Sequence, residues 1–384
     1  MEKIIQPRPR IQSIDILRGA IMVLMAIDHV RVYSGLPAGG KTAGIFFTRW
    51  ITHYCAPGFV FLAGMAAFLY MDRWKRTAKI SSYLFTRGIL LVILELTVIR
   101  FFWTFNFNFA SFTLAGVIWM LGWCMVLMAA IVWLRPMIAG LVGLLIICAQ
   151  QLFQYVPQAL PEGTRPRFGR IWEFIYPSGF EAPAPIAILY VLVPWVGVMA
   201  AGYGFGRVLL IPAARRRRIC LTVGLSAIVL FIVWGTIVTM NASPEKDPMP
   251  FLFRLLNQRK YPASVLFLLM ALGPLIALIP FTERAKNNVA GALNIFGRVP
   301  FFYYLLHILL IHCSALLVNL IHSGAAHGDW YQSAPYVFVE EPQRWTLGML
   351  YLVFAVDVFL LYLVCKWYAK YKAAHPAVKW LRYI

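Results

Sequence analysis

Asp15, Arg18, Asp28, His29 and Arg31 all fall within Ile14–Tyr33, a stretch otherwise apolar and long enough to cross a membrane. Ionisable groups are costly there and mark candidate functional positions. Arg18 and His29 are eleven residues apart, which returns them to one helix face with about 16 Å between them. Asp15, Met22 and Met25 lie near the same stripe. A face with a guanidinium toward one membrane surface and an imidazole toward the other is expected to line a polar cavity inside a helical bundle. His29 is a candidate general base, with a nearby carboxylate to orient it. Asp28 points about 100° away from it on a helix, so its expected partner is Arg31 at i,i+3.

Further residues of the same kind follow. His53 opens a second apolar run in which Pro57 and Gly58 predict a kink, and it is a second general-base candidate. A third run carries Arg87, Glu95 and Arg100. Glu95 and Arg100 are five apart, too far round the helix to pair well, so at least one is expected to reach another segment. Near the C-terminus, Gly297-Arg298-Val299-Pro300 leads into Tyr303, Tyr304, His307 and His312. The two histidines diverge by about 140°, so only one is expected to share a cavity with His29. That one is His307, which the Tyr303 and Tyr304 hydroxyls precede. Asp357 is a lone carboxylate in the last run, a candidate partner for Arg18 or Arg87. Arg254, Gln258, Arg259, Lys260 and Tyr261 form a cluster read either as a receptor for an anionic or sugar-like acceptor or as a solvated basic loop.

The elements that must position these residues are membrane helices. Hydrophobic residues make up 61% of the 384, charged ones 13%, and mean hydropathy is +0.72. Runs of about 20 apolar residues, enough to cross roughly 30 Å of hydrocarbon, can be drawn ten times: 13–34, 49–71, 82–102, 113–134, 136–155, 184–206, 219–240, 262–281, 297–320 and 345–366. The expected fold is therefore all-α, a polytopic membrane bundle of about ten helices forming one integral domain over 1–384. Basic residues cluster at Lys3, Arg8 and Arg10, at Arg73, Lys75, Arg76 and Lys79, and at Arg135, Arg207, Arg215 to Arg218, Arg284, Lys286, Lys370, Lys372, Lys379 and Arg382. All fall on one side of the ten spans, which makes that side, and both termini, cytoplasmic. The same clustering assigns the net charge of +20 to topology and anionic lipid, with no nucleic-acid partner. Arg215 to Arg218 reads as a helix-end anchor, and Gly202-Tyr-Gly-Phe-Gly206 as close helix packing, since it follows a membrane helix and not a strand. Six scattered cysteines suggest neither a disulfide framework nor a zinc site.

Ser13-Ile-Asp-Ile-Leu-Arg-Gly19, then Leu24-Met25 and Asp28-His29, resembles the opening of the bacterial DUF1624 membrane proteins and of the related heparan-alpha-glucosaminide N-acetyltransferase catalytic domain. Arg49 to Gly64 is similar to the second signature of that bacterial group, and Tyr261-Pro262 and Gly297 through His307 to its later ones. The resemblance implies transfer of an acyl group, in the first instance acetyl, from acyl-CoA on the cytoplasmic side to a hydroxyl or amine of an outside acceptor, a small molecule or glycan. The implied location is the bacterial inner membrane. Acyl-CoA is a co-substrate; no permanently bound cofactor or metal is implied. His29, His53 and Asp28 are the candidate catalytic residues, a histidine deprotonating the acceptor or carrying the acyl group transiently. Arg18, Asp15, Arg31, Arg298, Tyr303 and His307 are the candidate substrate-binding residues. In the lysosomal pattern a polar amide stands where His29 does and the catalytic histidine lies in the first outward loop; here that loop, Gly35 to Thr48, holds no histidine. Two other classes use the same residue types: a proton-coupled transporter, against which no repeat relates the two halves, and a haem protein ligated by two of His29, His53, His307 and His312.

Overall fold

The structure, a computed structural model, describes residues 11–40, 42–74, 77–181, 185–242 and 249–382. Lys3, Arg8, Arg10, Lys75 and Arg76 of the topology argument lie outside the described residues, as do the side chains of Arg73, Lys379 and Arg382. The helices, in chain order, are α1 (Gln12–Tyr33), α2 (Ala43–Trp50), α3 (Cys55–Trp74), α4 (Thr77–Leu94), α5 (Arg100–Thr104), α6 (Val117–Ile131), α7 (Pro136–Ala149), α8 (Arg165–Trp172), α9 (Trp195–Phe205), α10 (Ala213–Met240), α11 (Phe251–Leu256), α12 (Val265–Thr282), α13 (Asn288–Arg298), α14 (Pro300–Ser323) and α15 (Leu347–Ala374).

Among the described residues, six helical stretches are long and apolar enough to cross a membrane: Ala43–Asp72, Pro136–Tyr155, Ala213–Met240, Val265–Thr282, Pro300–Ser323 and Leu347–Ala374. Helix α1 has the length, but its charges set it apart. Helix α10 leaves Leu225, Val229, Leu230, Ile232 and Val233 exposed, an apolar surface that only lipid solvates well.

The bundle is held by backbone-to-backbone approaches. A Cβ on Gly19 would fall 1.9 Å from the Leu293 carbonyl oxygen, and one on Gly297 would fall 1.8 Å from that of Asp15. Thus the Ser13–Gly19 and Gly297–Pro300 motifs press α1 against α13, and the Arg18 guanidinium donates to the Gly297 carbonyl at 3.2 Å. Gly202 meets Phe61 backbone and Gly204 meets Gly140 backbone, so this glycine run packs α9 between α3 and α7. Arg216 pairs with Glu283 at 2.6 Å, tying the start of α10 to the end of α12.

Several boundaries differ from the sequence expectation. The segments 113–134 and 184–206 each open with a short strand, β1 (Thr113–Ala115) and β2 (Ile186–Ile188), which pair in parallel. Helix begins only at Val117, after Gly116, and at Trp195, after Pro194. The break expected at Pro57 lies just before it: Pro57 has no N–H to offer the His53 carbonyl, and Ile51–Tyr54 is a 3-10 turn joining α2 to α3. Amphipathic α13 occupies a stretch read as a connection, and α14 starts at Pro300. Helix α4 passes through a π-helical turn, Glu95–Ile99, before α5.

Candidate functional site

The first helix supplies the imidazole, and α14 supplies its partner. His29 Nδ1 lies 2.7 Å from His307 Nε2, with the rings stacked at 4.8 Å between centroids. Trp103 of α5 packs edge-on against His29, also at 4.8 Å. On its other nitrogen, Nδ1, His307 meets the Tyr304 carbonyl, and that of Tyr303 at 3.2 Å. His307 has no exposed surface, whereas His29 is only half-buried. The nitrogens that would ligate a haem iron from facing helices are thus bonded to each other.

Asp28 turns away from His29, as the helical angle requires. Arg31 Nη2 and Nε donate to its Oδ1 at 2.9 and 3.1 Å. Lys260, buried in the segment between α11 and α12, lies with its ammonium 5.2 Å from the Tyr261 ring centre and 5.9 Å from that of Tyr190. Its charge bears on Asp28, His29 and His53 alike. Burial opposes the ammonium, but Tyr261 and Asp28 outweigh it and hold the amine above its ordinary value. Of the basic cluster read from the sequence, Lys260 is the member that enters the site; the Tyr-Pro signature beside it was the available signal.

Two cavities lie toward the two ends of the α2–α3 stretch. The first, about 310 Å³, is lined by α1, α3, α4, α6 and α14; its walls are mainly Ala, Leu, Ile and Phe, with Arg18, Arg87, Tyr70, Tyr83 and Tyr304 as the polar groups. It lies toward the end of α3 that leads into the basic connector to α4. The second, about 350 Å³, lies at the opposite end of the α2–α3 stretch, between the Pro37–Gly40 segment, Phe46, Arg49, Trp50, His53, Met249 and Asn257. Arg49 donates to Asn257 Oδ1 there at 3.2 Å. His53 is 2% exposed and both its ring nitrogens lack a hydrogen-bond partner, as does Trp50 Nε1. Tyr304, one turn before His307, belongs to the first cavity, while His53 and Arg49 belong to the second and share the field of Lys260 and Asp28 with His29.

The remaining candidates divide. Arg18 bonds Asp15 at 3.4 Å as well as Gly297, and reaches the first cavity but not His29. No hydrogen bond or ring contact joins His53 to His29 among the described residues. Tyr303 is fully buried, stacked on His307 at 5.3 Å with its hydroxyl unpartnered, and Arg298 is exposed at the end of α13. His312 stacks on Phe105 at 3.8 Å and bonds the Phe102 carbonyl, outside the His29 pair. Asp357 accepts from Ser314 Oγ at 2.7 Å and meets neither Arg18 nor Arg87, a correction to the pairing expected from charge alone. Arg100 donates to the carbonyls of Phe112, Asn106 and Asn108, and so shapes the connection after α5. Glu95 is 2% exposed, with its carboxylate against the Gly116 N–H.

The family model described as "Heparan-alpha-glucosaminide N-acetyltransferase, catalytic" matches residues 10–255, well over half of the chain. A search of the curated proteins found no match.

Proposed function

Because the chain belongs to the heparan-alpha-glucosaminide N-acetyltransferase catalytic family, and is an integral membrane protein of that acyltransferase type, we propose that it moves an acyl group, acetyl in the first instance, from acyl-CoA to an acceptor hydroxyl or amine across the bundle. The observation that carries this reading is the half-buried His29 imidazole, held by His307, with one cavity toward each end of the α2–α3 stretch.

In this reading the basic end of the bundle is cytoplasmic, in a bacterial inner membrane crossed about ten times. The first cavity takes the pantetheine arm and acyl group of the donor, its apolar walls excluding water from the thioester. Arg18 and Arg87 stand where they meet phosphate or amide oxygens of the donor. The acceptor, a small molecule or sugar, enters the second cavity, where His53, Trp50 and the Arg49–Asn257 pair offer it donors and acceptors. His29 then takes the acceptor proton as the oxygen or nitrogen attacks the thioester carbonyl. The C–S bond breaks, the thiolate leaves into the first cavity, and the proton held by His29 returns to sulfur. Lys260, whose charge acts on His29, would stabilise the oxyanion that develops.

The deciding experiment measures hydrolysis and transfer from radiolabelled acetyl-CoA by purified protein in lipid, for wild type, His29→Ala and His53→Ala. The expected result is turnover in wild type, lost by at least about a hundredfold in His29→Ala, with a smaller defect confined to acceptor KM in His53→Ala. Absence of donor binding and turnover across a panel of acceptors sinks the proposal. Stable label on His29 points to a covalent acyl-imidazole instead of direct transfer.

A further inference from the structure

The hydrogen bonds around His307 determine which nitrogen of His29 does the chemistry. A backbone carbonyl only accepts, so His307 Nδ1, which faces the Tyr304 and Tyr303 carbonyls, must carry a proton. No carboxylate bonds either ring among the described residues, and His307 is wholly buried, so a charged imidazolium there would stand without a counter-ion. His307 is therefore the neutral Nδ1–H tautomer, and its Nε2 is a lone pair. That lone pair faces His29 Nδ1 at 2.7 Å, a distance that requires a proton between them. The proton must belong to His29 Nδ1. His29 Nε2 is then unprotonated; it is not among the buried atoms lacking a partner, and among the described residues no group bonds it.

We propose that His307 is a positioning residue that touches no substrate: it locks His29 in the Nδ1–H tautomer and so makes Nε2 the only atom of the pair able to accept the acceptor's proton. This builds on the acyl-transfer reading, but its structural half stands without it. A histidine here does what a carboxylate does for the base in many hydrolases, and does so without adding a negative charge to a site that already contains Asp28. It also removes His307 from the substrate-binding set in which the sequence placed it. When Nε2 takes a proton, the positive charge stays on half-buried His29, next to Asp28, and the His29 Nδ1–H remains bonded to His307 Nε2; return of the Nε2 proton to the leaving group restores the resting pair with no net gain or loss.

The inference is tested on the full-length protein in lipid nanodiscs with ¹⁵N-labelled histidine, the two signals being assigned by their loss in His29→Ala and His307→Ala. At neutral pH each ring should show a protonated Nδ1 and an unprotonated Nε2. A protonated Nε2 on His29 overturns the assignment whatever the enzyme does. In acyl transfer, His307→Leu should lower kcat at least tenfold and leave acceptor KM nearly unchanged. His307→Gln should recover most of that loss, because its amide oxygen accepts from His29 Nδ1–H while its NH₂ donates to the Tyr304 carbonyl. Equal activity in wild type and His307→Leu overturns the positioning role. If the wild-type protein transfers no acyl group but the nitrogen signals are as stated, the acyltransferase reading fails and the tautomer assignment survives.

Discussion

Arg31 clasps the Asp28 carboxylate through two donors on one oxygen, while its Nη1 donates to the Leu36 carbonyl at 3.1 Å. The pair thereby fastens the end of α1 to the turn that follows it, where Ser34 Oγ closes the helix on the Arg31 carbonyl at 2.7 Å. Both side chains are mostly enclosed, at 10% and 22% exposed. Removing one partner strands the other. Asp28→Asn and Arg31→Leu should each destabilise by about 3 kcal/mol, and the double variant by clearly less than the sum. Thermal unfolding of the four proteins in one detergent measures this, and additive losses would mean that the contact carries no coupling.

Arg87 lines the first cavity and donates to the Tyr83 hydroxyl at 3.0 Å. If it meets a donor phosphate, Arg87→Met should raise KM for acyl-CoA about tenfold, roughly 1.4 kcal/mol, with kcat little changed. The same substitution should leave KM for an acyl-pantetheine without nucleotide unaltered. A matching rise for both donors would place Arg87 elsewhere on the substrate.

Glu95 sits in the π-helical turn with one carboxylate oxygen on the Gly116 N–H and the other unpartnered. A Cβ on Gly116 would come within 2.1 Å of Oε1, so only glycine lets the two groups meet this closely. Because no donor answers the second oxygen, Glu95→Gln should fold nearly as well as wild type. Glu95→Ala, which leaves a cavity and an orphaned N–H, should cost about 2–4 kcal/mol. Equal losses in both variants would show that the negative charge itself is needed.

Lys260 should contribute a pH-dependent share of stability. Its amine is held above the ordinary lysine value of 10.5, so the folded state binds the proton more tightly than the unfolded chain does. The stabilisation is complete below the ordinary value and is lost as pH rises through the raised one. The difference in unfolding midpoint between wild type and Lys260→Met should stay flat through neutral pH and shrink only in the alkaline range. A difference that changes between mildly acid and neutral pH would contradict this assignment.

Much of the arrangement was legible from local pattern. The i,i+3 pair of Asp28 and Arg31 and the divergence of His307 from His312 follow from the helical angle, which sequence displays directly, whereas the cavity expected to join Arg18 to His29 is lined by Arg18 and not by His29. The helix break beside His53 was also visible in Pro57, though the turn falls before the proline and not at it. Relationships between distant segments were not legible. That Ser314 answers Asp357, that α13 docks on α1 through Gly19 and Gly297, and that Thr113–Ala115 finds a strand partner at Ile186–Ile188 depend on which surfaces the fold brings together. The basic cluster of 254–261 could be read as solvated or functional, and burial of a single member, Lys260, separates the two readings.

The two cavities have no lining residue in common, and the tightly packed rings of His29, His307 and Trp103 line neither. For an energised membrane this partition matters more than the identity of either ligand. A continuous wet channel through the bundle would dissipate the proton gradient each time the site was empty. On the acyl-transfer reading, donor and acceptor would meet at His29 only while both are bound, and the empty site would offer protons no open path by which to drain the membrane potential.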